Sequence, residues 1–575
     1  MAVKGDRAIW EAESEGITLR NTTIGALLDQ QAVNLPDNEA LIYNYPEIGL
    51  NLRLTYRQYR DEVNRLAKGL LALGIGKGEH VAVWATNVPE WILLQMALTK
   101  IGAVMVTVNT AYRASEIEYI LKQGDISTLF MQAEVRGNSY LESVYSIVPK
   151  LKQIADPQTE SLHNPNLPHL KRVVLLGDQP KAGLMLYSQV VAMGANVSDQ
   201  VLQERQASVT PQDVAMIMYT SGTTGFPKGA MLTHSNVINT MHVVGRGIDY
   251  SHDRYVSPMP LFHVAGANFV LFTLIYGIPI IPLIAFDPNK EFELIQKERG
   301  TLSFCIPTML IAMLNNPRFL AGEFDLSSLR KVFTGGASVP VVVMEQVKVK
   351  MGADCHIVFG MTESSGAGTT TLDDDSFKLK SSTVGKPYPH FDAKIVNPAT
   401  HEPVGLGEPG ELWIRGYAVM KGYYNMPEKT AETIDAEGWL HTGDLATMNG
   451  QGYFNIVGRA KEMIIRGGEN VYPAEVEAFL MRHPKIAEAQ VVGVPDTYMG
   501  EEGVALIKLK AGESADADEI REYCRANISR YKVPKYFNFV SSYPMTVSGK
   551  VKKFELRKQL IQELGLEEAA RIKTA

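Results

Sequence analysis

The chain has 575 residues, 45% of them hydrophobic and 21% charged, and its formal net charge is −7. This length exceeds what one hydrophobic core usually fills, so we expect two or more domains and no extensive disorder. The acidic balance argues against nucleic acid as the main partner, because it gives the chain no general attraction to phosphate backbones.

Three isolated cysteines, Cys305, Cys355 and Cys524, show no CxxC spacing. They predict neither a disulfide framework nor a thiolate zinc site, and they fit a reducing environment. The first twenty residues lack the apolar core of a signal peptide. We therefore expect a cytoplasmic location.

Strand and helix patterns alternate along the first part of the chain. An apolar run at 80–85 predicts a strand, Asn87 is a predicted helix cap, and helical spacing at 88–102 leads to a second strand at 104–109. The pairing of a helix with a strand returns at 113–132. Such alternation is typical of a mostly parallel sheet with helical crossovers, the α/β class.

Residues 219–229 read YTSGTTGFPKG and follow a predicted buried strand. Glycine N–H groups can approach phosphate oxygens closely, while the hydroxyls and Lys228 add donors and charge. A P-loop NTPase would need glycine at 227 and a hydroxyl at 229, where this chain has Pro227 and Gly229. Taken alone, the stretch fits either a different phosphate-binding loop or a plain polar loop.

The most apolar stretch, residues 269–286, approaches the length of a membrane span. Gly277, Pro279 and Pro282 would break a continuous helix there. We therefore predict a buried helix, a turn and a buried strand, and no membrane span. A further helix and strand are predicted at 339–360.

Three consecutive carboxylates occupy positions 373–375. Consecutive side chains on a loop point in different directions, so we interpret them as a solvated turn and not as a metal site. From about residue 386 the pattern changes to short strands between glycine turns, which predicts a small antiparallel barrel or sheet.

Beyond residue 460 the pattern changes again. Helical patterns at 473–483 and 517–528 flank strand patterns at 489–494 and 504–510. These last residues, about 115 of them, suffice for a small domain of their own.

Six motifs follow one another along the chain. They are YTSGTTGFPKG at 219–229, MPLFHVAG at 259–266, FGMTES at 359–364, GWLHTGD at 438–444, GRAKEMIIRGGENVYPAEVE at 458–477, and PMTVSGK at 544–550. In this order they resemble the adenylate-forming superfamily of acyl-CoA synthetases, peptide-synthetase adenylation domains and luciferases, and the resemblance covers roughly residues 20–560. Six ordered motifs are far more specific than any one of them.

The resemblance implies an α/β fold with two parts. The N-terminal adenylation domain, residues 1–460, would contain two sheet-and-helix subdomains, at about 1–210 and 211–385, and a small β-barrel at 386–460. The mobile α+β C-terminal domain, residues 461–575, would carry the catalytic lysine.

The resemblance also implies the reaction. ATP and a carboxylic acid would give an acyl-adenylate and pyrophosphate, and the thiol of coenzyme A would then displace AMP. The implied cofactors and substrates are ATP/AMP, Mg²⁺, coenzyme A and a small-molecule carboxylic acid.

Site residues follow from the resemblance motif by motif. The β- and γ-phosphates would be bound by seven residues of the first motif: Thr220, Ser221, Gly222, Thr223, Thr224, Gly225 and Lys228. Thr362 would contact the α-phosphate, and Glu363 would hold Mg²⁺, a hard ion suited to oxygen ligands. The adenine would lie between Phe359, in place of the usual tyrosine, and the turn at Gly336 and Ala337. The ribose would bind Asp444 and Arg459.

The lysine of the last motif is Lys550, which the resemblance places at the substrate carboxylate and the α-phosphate, where it stabilises developing negative charge. Lys461 matches the hinge on which the C-terminal domain turns between the two half-reactions. Gly467 and Gly468 would then line the pantetheine tunnel, although a tight turn explains them equally well.

Five positions match the acyl pocket of the family: His263, Val264, Gly335, Val358 and Gly360. All but the histidine are small or apolar, and the two glycines predict room beyond acetate. We therefore expect a medium-chain, branched, alicyclic or aromatic monocarboxylate. Chain length stays open, because one methylene changes binding by only ~1 to 3 kcal/mol.

The sequence leaves alternatives open. The chain could load an acyl group on a carrier protein, act as an oxidative luciferase-like enzyme, or bind nucleotide as a non-catalytic sensor. It could also run the ligase reaction in reverse to make ATP. The oligomeric state, including a homodimer, is not indicated.

Overall fold

The computed structural model describes residues 3–220, 227–246, 248–337, 339–366, 368–459, 461–466, 469–546 and 549–571. The architecture is α/β, as predicted: two large, mostly parallel sheets, a small antiparallel sheet, and a further sheet formed beyond residue 460. Helices cover the large sheets because parallel strands need crossover connections.

The first large sheet has eight strands among the described residues. In spatial order they are Met185–Leu186, Arg172–Leu175, Thr128–Met131, His80–Trp84, Val104–Thr107, Val214–Thr220, Lys228–Thr233 and Gly422–Tyr423. The first six run parallel, and the last two are joined antiparallel. A segment beyond residue 420 is thus bonded to the strand that leaves the 219–229 stretch.

The second large sheet has nine strands within the described ranges. In spatial order they are Lys386–Pro387, Thr369–Thr370, Asp354–Phe359, Lys331–Gly335, Leu302–Phe304, Tyr255–Ser257, Ile280–Pro282, Glu39–Tyr45 and Leu50–Thr55. The six from Asp354–Phe359 to Glu39–Tyr45 are parallel. Their carboxyl ends therefore meet at one edge of the sheet, where α/β proteins bind ligands.

Two smaller sheets follow. The small antiparallel sheet contains, in order, Ile9–Trp10, Phe391–Val396, Gly410–Gly416, Leu440–Met448 and Phe454–Arg459. The last sheet contains Glu469–Val471, Ile464–Arg466, Gly500–Leu509 and Ile486–Asp496, with Tyr536–Phe539 paired to Gly500–Leu509. A separate hairpin joins Glu134–Val135 to Asn138–Ser139.

The α-helices of the described residues lie mainly in the crossovers. They are Ile24–Asn34, Tyr56–Ala72, Pro89–Lys100, Ala114–Gln123, Tyr140–Ile147, Tyr187–Met193, Asp199–Ala207, His234–Val244, Val264–Tyr276, Pro288–Glu298, Pro307–Leu314, Pro317–Leu320, Val341–Gln346, Phe377–Ser382, Pro427–Thr433, Pro473–Leu480, Ala517–Asn527 and Lys553–Glu563. Many begin with proline at their first position, where its missing N–H costs no helical hydrogen bond.

One continuous core joins the two large sheets. It includes Trp91 and Phe272, both fully buried, from the helices on either side. The residues beyond 460 have apolar clusters of their own, one around Leu480 and Ile520 and another around Val494 and Leu556. The C-terminal part is therefore a unit with its own core.

The apolar stretch at 269–286 is built as predicted. It forms the end of the helix Val264–Tyr276, a turn at Gly277 with φ of 68°, and the buried strand Ile280–Pro282. Within the described part of the chain, no helix is both long and apolar enough to cross a membrane.

Candidate active site

The candidate site lies at the carboxyl edge of the nine-stranded sheet. Gly335 and Val358 are direct partners at the ends of two parallel strands. The turn at Gly336 and Ala337 leaves the first strand and is exposed, and Phe359 ends the second and is half-buried. Gly336 has φ of +78°, a conformation that favours glycine.

Lys550 reaches this edge from the C-terminal part of the chain. A Cβ on Gly336 would lie only 3.6 Å from Cε of Lys550. The residue before it, Gly549, accepts a hydrogen bond of 3.3 Å at its carbonyl from the hydroxyl of Thr308. The lysine and the turn at Gly336 and Ala337 are therefore brought together from positions more than 200 residues apart along the sequence.

Gly549 fits this contact because it has no side chain. Its φ is +74°, and a Cβ there would stand 2.3 Å from Cδ1 of Ile306. The backbone N–H of Lys550 donates to Oγ1 of Thr546 at 2.9 Å, which closes the loop that presents the lysine. Gly549 and Lys550 therefore pack against the N-terminal part of the chain.

Asp444 and Arg459 are direct partners on adjacent antiparallel strands of the small sheet. Nε of Arg459 lies 2.8 Å from Oδ1 of Asp444, whose carboxylate is buried. The backbone N–H of Asp444 donates to the hydroxyl of Thr442 at 3.1 Å. The local strand pairing therefore fixes both side chains.

The charges of these groups act on one another. Burial raises the pKa of Asp444 to about 6, and the positive charges of Arg459 and Lys550 partly oppose this shift. Burial and Arg459 lower the pKa of Lys550, while Asp444 and Glu363 counteract that shift. Burial and the Lys550 charge also lower the pKa of His263 to about 3, so its imidazole is neutral at physiological pH. Five sequence-predicted site residues thus share one electrostatic environment.

Glu363 lies in the short turn Thr362–Ser364 and is buried. Its Oε1 accepts hydrogen bonds from the hydroxyl of Tyr423 at 2.6 Å and from that of Thr220 at 3.4 Å. Its backbone carbonyl accepts from the N–H of Met420 at 2.8 Å. Oε2 has no hydrogen-bond partner among the described residues.

Lys228 completes this side of the site. Its Nζ stands 4.2 Å from the centroid of the Tyr423 ring. Burial lowers the pKa of Lys228, and the charge of Glu363 counteracts that shift. Sequence patterns do not single out Tyr423, because the contact depends on pairing between the strands Lys228–Thr233 and Gly422–Tyr423.

His263 begins the helix Val264–Tyr276 and accepts a 3.3 Å hydrogen bond at Nδ1 from the N–H of Ala265. The predicted cap residue Asn87 is not a helix cap, because no side chain caps the helix Pro89–Lys100. Its amide instead donates to the carbonyls of Met259 and Leu283, and its Oδ1 accepts from the N–H of Leu261. Asn87 therefore holds the segment that leads into His263.

The acyl-pocket positions have different surroundings. Val264 and Val358 are buried, and Gly360 is half-buried. The expectation that Gly335 adds room is wrong on the side of its missing side chain, where a Cβ would lie 2.0 Å from the carbonyl oxygen of Val358. That glycine permits the close approach of two strands.

Three aromatic rings pack against one another in the core. The ring of Phe269, five residues along the helix from Val264, lies 5.1 Å from that of Phe304 and 5.8 Å from that of Phe333. All three rings are buried. Phe333 lies two residues before Gly335 on the same strand.

The remaining predicted residues lie as follows. Lys461 occupies an exposed turn between the strands Phe454–Arg459 and Ile464–Arg466. Seven residues lie outside the described ones: Ser221, Gly222, Thr223, Thr224, Gly225, Gly467 and Gly468.

The turn at 373–375 is more than solvated. Asp373 binds Lys331 at 2.5 Å and lies 3.3 Å from Nε2 of His356, and Asp375 accepts a hydrogen bond from the hydroxyl of Tyr453. The carboxylates of Asp373 and Asp375 therefore have structural partners. Within the described ranges, no group of three or more His, Cys, Asp or Glu side chains could hold a metal ion.

The fold and the site together define a class. A turn at the carboxyl edge of a parallel sheet, a buried aspartate paired with arginine on the small sheet, and a lysine delivered by a C-terminal unit are the features of an adenylate-forming enzyme.

Comparisons with known proteins agree. A family model described as AMP-binding enzyme matches residues 28–424, and one described as AMP-binding enzyme C-terminal domain matches residues 475–550. YngI of Bacillus subtilis (strain 168), by name a candidate acyl-CoA synthetase, is 44% identical over 551 residues, covering 95% of this chain and 99% of that protein. The mitochondrial medium-chain acyl-CoA ligase ACSF2 of Mus musculus is 39% identical over 557 residues, covering 95% and 89%.

Solved structures show the same fold. The anthranilate CoA ligase AuaEII in complex with anthranoyl-AMP has a TM-score of 0.83 and 25% identity, covering 96% of this chain and all of that one. A Mycobacterium tuberculosis fatty acyl CoA synthetase has a TM-score of 0.66 and 30% identity, covering 94% and 99%. The chain belongs to the AMP-binding enzyme family, and it is an AMP-forming acyl-CoA ligase. The family, the fold class and the enzyme class predicted from sequence are confirmed.

Proposed function

We propose that this ligase activates a medium-chain monocarboxylic acid, with the residues described above in the roles that the sequence motifs predict. The observation that carries the proposal is the position of Lys550, next to Gly336 and within the electrostatic reach of Asp444 and Glu363. A cation at this point can stabilise the negative charge that gathers when a carboxylate attacks the α-phosphate. No general base is needed, because the nucleophile is already ionised.

The nucleotide would lie across the edge of the nine-stranded sheet. Gly336 and Ala337 on one side and Phe359 on the other would enclose the adenine, and the Asp444 and Arg459 pair would bind the ribose. The pairing of Gly335 with Val358 supports this placement of the adenine. Because these two residues are strand partners, the residues that follow them, Gly336 and Phe359, lie side by side at the edge of the sheet. Stacking on the phenyl ring requires no hydroxyl, so Phe359 can replace tyrosine.

The phosphates would lie on the side of Thr220 and Lys228, with Thr362 at the α-phosphate. The loop residues that lie outside the described ones, Ser221, Gly222, Thr223, Thr224 and Gly225, would bind the departing pyrophosphate. Support comes from the charge of Glu363, which counteracts the lowering of the Lys228 pKa by burial.

Mg²⁺ would be held by Glu363. The residues fit this ion, because Oε1 takes both hydrogen bonds and Oε2 is without a partner among the described residues. Mg²⁺ commonly binds through one or two carboxylates together with substrate phosphates. When bound, it would neutralise charge on the phosphates.

The proposed acid is apolar and of medium length. Val264, Val358 and Gly360 offer it an uncharged wall, and neutral His263 would lie beside the acyl group. The cluster of buried rings around Phe269, five residues along the helix from Val264, supports a limited depth of the pocket. The name of the related mouse ligase, ACSF2, specifies medium-chain substrates.

The second half-reaction would require the C-terminal domain, proposed as residues 461–575, to turn on Lys461. Gly467 and Gly468 would then face coenzyme A. Replacing Lys461 with proline, which fixes φ, should spare adenylation and reduce thioester formation, whereas Lys461→Ala should leave both half-reactions largely intact. Equal activity of the two variants in thioester formation would contradict the hinge assignment.

An acid panel tests the whole proposal. Purified protein would receive ATP, Mg²⁺, coenzyme A and saturated monocarboxylates from two to sixteen carbons, together with aromatic and branched acids, and AMP release would be measured. We expect a maximum at medium chain length. A maximum at acetate or at sixteen carbons would contradict the substrate assignment, and formation of ADP in place of AMP would contradict the reaction.

A further inference from the structure

Tyr423 touches the two charged groups on the phosphate side of the site at the same time. Its hydroxyl donates to Oε1 of Glu363 at 2.6 Å, and its ring lies 4.2 Å below Nζ of Lys228. The side chain is 3% exposed. One buried residue therefore connects an anion and a cation that come from different segments of the chain.

The backbone fixes where this ring stands. Tyr423 pairs with Ala230 across two antiparallel strands, and Lys228 lies two residues before Ala230, on the same face of the sheet. The N–H of Tyr423 donates to Oγ1 of Thr430 at 2.9 Å, and its carbonyl accepts from the N–H of Met426 at 3.2 Å. Because both backbone groups are bonded, the ring has little freedom to shift.

The chemistry of the Tyr423 hydroxyl determines which group donates in its hydrogen bond with Glu363. A phenol is protonated at physiological pH and a carboxylate can only accept, so the Tyr423 hydroxyl is the donor and Oε1 of Glu363 the acceptor. The hydrogen bond engages one oxygen of Glu363, while Oε2 has no partner among the described residues. The ring face meanwhile attracts the ammonium of Lys228 through its negative quadrupole.

We propose that Tyr423 is a positioning residue that orients Glu363 toward the metal and Lys228 toward the phosphates. The inference rests on the proposed function, because it takes Glu363 as the metal-binding carboxylate. The proposed role has two components that can be tested separately. The hydroxyl of Tyr423 orients the Glu363 carboxylate, and its ring orients the Lys228 ammonium. Groups that orient a metal ligand through hydrogen bonds typically change metal affinity by about 10- to 100-fold.

The neighbouring residue provides a matched control. Tyr424 follows Tyr423 directly, and its hydroxyl donates to Asp125 at 2.8 Å on the other side of the strand. Tyr424→Phe, like Tyr423→Phe, removes one hydrogen-bonded phenol oxygen, here a partly buried one, without touching Glu363. Comparing the two variants separates the proposed role from the general cost of deleting a hydroxyl.

The test measures binding, with no turnover needed. The full-length protein is titrated with Mn²⁺ in the presence of α,β-methylene-ATP, whose α–β bridge cannot be cleaved, and free Mn²⁺ is followed by electron paramagnetic resonance. We expect Tyr423→Phe to weaken Mn²⁺ binding by about 10-fold or more and to leave affinity for the metal-free analogue within about twofold. Tyr423→Leu should weaken metal-free binding as well, because the ring over which Lys228 lies is lost.

Further variants keep the result interpretable. Melting temperatures report whether each variant folds, and Tyr423→His, which keeps a ring and an N–H donor, should recover part of the Mn²⁺ affinity lost in Tyr423→Phe. Mn²⁺ affinity unchanged in Tyr423→Phe, or lost equally in Tyr424→Phe, would overturn the inference. If the wild-type protein itself shows no Mn²⁺-dependent binding of the analogue, the metal assignment to Glu363 fails and this inference fails with it.

Discussion

Oδ1 of Asp444 lies 2.8 Å from Nε of Arg459, across two antiparallel strands in which the two residues are direct partners. The carboxylate is buried, whereas half of the arginine side chain is exposed. The buried position costs the carboxylate its hydration, which raises the pKa of Asp444 to about 6 even beside the guanidinium. This carboxylate therefore changes its charge just below neutral pH.

Nucleotide affinity should consequently fall as the pH drops through about 6. An acid with this pKa is ionised above it, and only the carboxylate can accept hydrogen bonds from both ribose hydroxyls at full strength. At pH 5 roughly one tenth of the molecules keep the charge, so we expect about 10-fold weaker AMP binding than at pH 7, measured by calorimetry.

Asp444→Asn is the control for this pH dependence. It should bind AMP roughly 10-fold or more weakly at pH 7, because a charge-assisted hydrogen bond is lost. Any pH dependence that it keeps reports titration of AMP and of groups other than Asp444, and this part can be subtracted. His263, with its pKa near 3, does not titrate in this range. A wild-type profile identical to that of the variant would contradict the assignment.

Lys550→Ala should abolish adenylation and largely spare thioester formation from a supplied acyl-adenylate. Removing a positive group that acts in the transition state commonly costs about 100- to 1,000-fold in rate. The measurement is pyrophosphate exchange for the first half-reaction and acyl-CoA formation for the second. Lys552→Ala is the matched control, since Lys552 forms an exposed pair with Glu555 at 2.9 Å. Equal losses in both half-reactions for Lys550→Ala would refute the role.

The sequence predicts most of the fold because the relevant signals are local. Apolar runs and helical spacing are read over about ten residues, and the predicted helix at 88–102 and strand at 354–360 are found as Pro89–Lys100 and Asp354–Phe359. Asn87 shows where this reasoning ends. Its position before a helix suggests a cap, but its amide bonds backbone groups 172 to 196 residues away.

The site is only partly predictable for the same reason. Ordered motifs name Asp444, Glu363 and Lys550, yet Tyr423 contacts Glu363 across 60 residues and lies in a segment without distinctive composition. For Gly335 the sequence predicts a role that the structure does not show. Its lack of a side chain permits a close contact between two strands and does not enlarge the pocket. Three-dimensional neighbours decide both cases.

Gly549→Ala should block adenylation by disturbing the contact that presents Lys550. The added Cβ would be placed at a φ of +74° and 2.3 Å from Cδ1 of Ile306. A non-glycine residue in this conformation costs about 1 to 2 kcal/mol, and the collision arises only when the C-terminal part packs here. We expect a loss of pyrophosphate exchange of 10-fold or more, with acyl-CoA formation from a supplied adenylate less affected.

Ile306→Val provides the complementary change. It removes Cδ1, the atom that the new methyl group would strike, so the double variant should recover part of the exchange activity lost in Gly549→Ala. Ile306→Val alone should change the exchange activity little, although the loss of one buried methyl group costs about 0.5 to 1.5 kcal/mol of stability. Strictly additive effects of the two changes would show that the collision does not cause the loss.

Glu291 allows a prediction about stability away from the site. It is fully buried, its Oε1 accepts hydrogen bonds from Ser303 at 2.8 Å and from Cys305 at 3.3 Å, and its Oε2 has no partner among the described residues. Burial raises the pKa of Glu291 to about 7. The folded protein therefore holds this proton more tightly than the unfolded chain, whose glutamates titrate near 4.5.

The order of these two pKa values sets the direction in which stability changes with pH. The contribution of Glu291 to the free energy of unfolding is fully present below about pH 4.5 and is lost as the pH rises through 7. The loss is about 3 kcal/mol for a pKa difference of roughly 2.5. Glu291→Gln carries no proton to lose. Its melting temperature should match that of the wild type near pH 5 and exceed it by a few degrees at pH 8.

The matched control lies two residues further along the same helix. Glu293 is partly exposed and lies 3.6 Å from Arg318, so Glu293→Gln should shift the melting temperature little at either pH. Comparing differences between variants at each pH cancels the titration of every other group in the protein. If Glu291→Gln melts below the wild type at pH 8 by as much as at pH 5, the buried carboxyl is not the group that couples stability to pH.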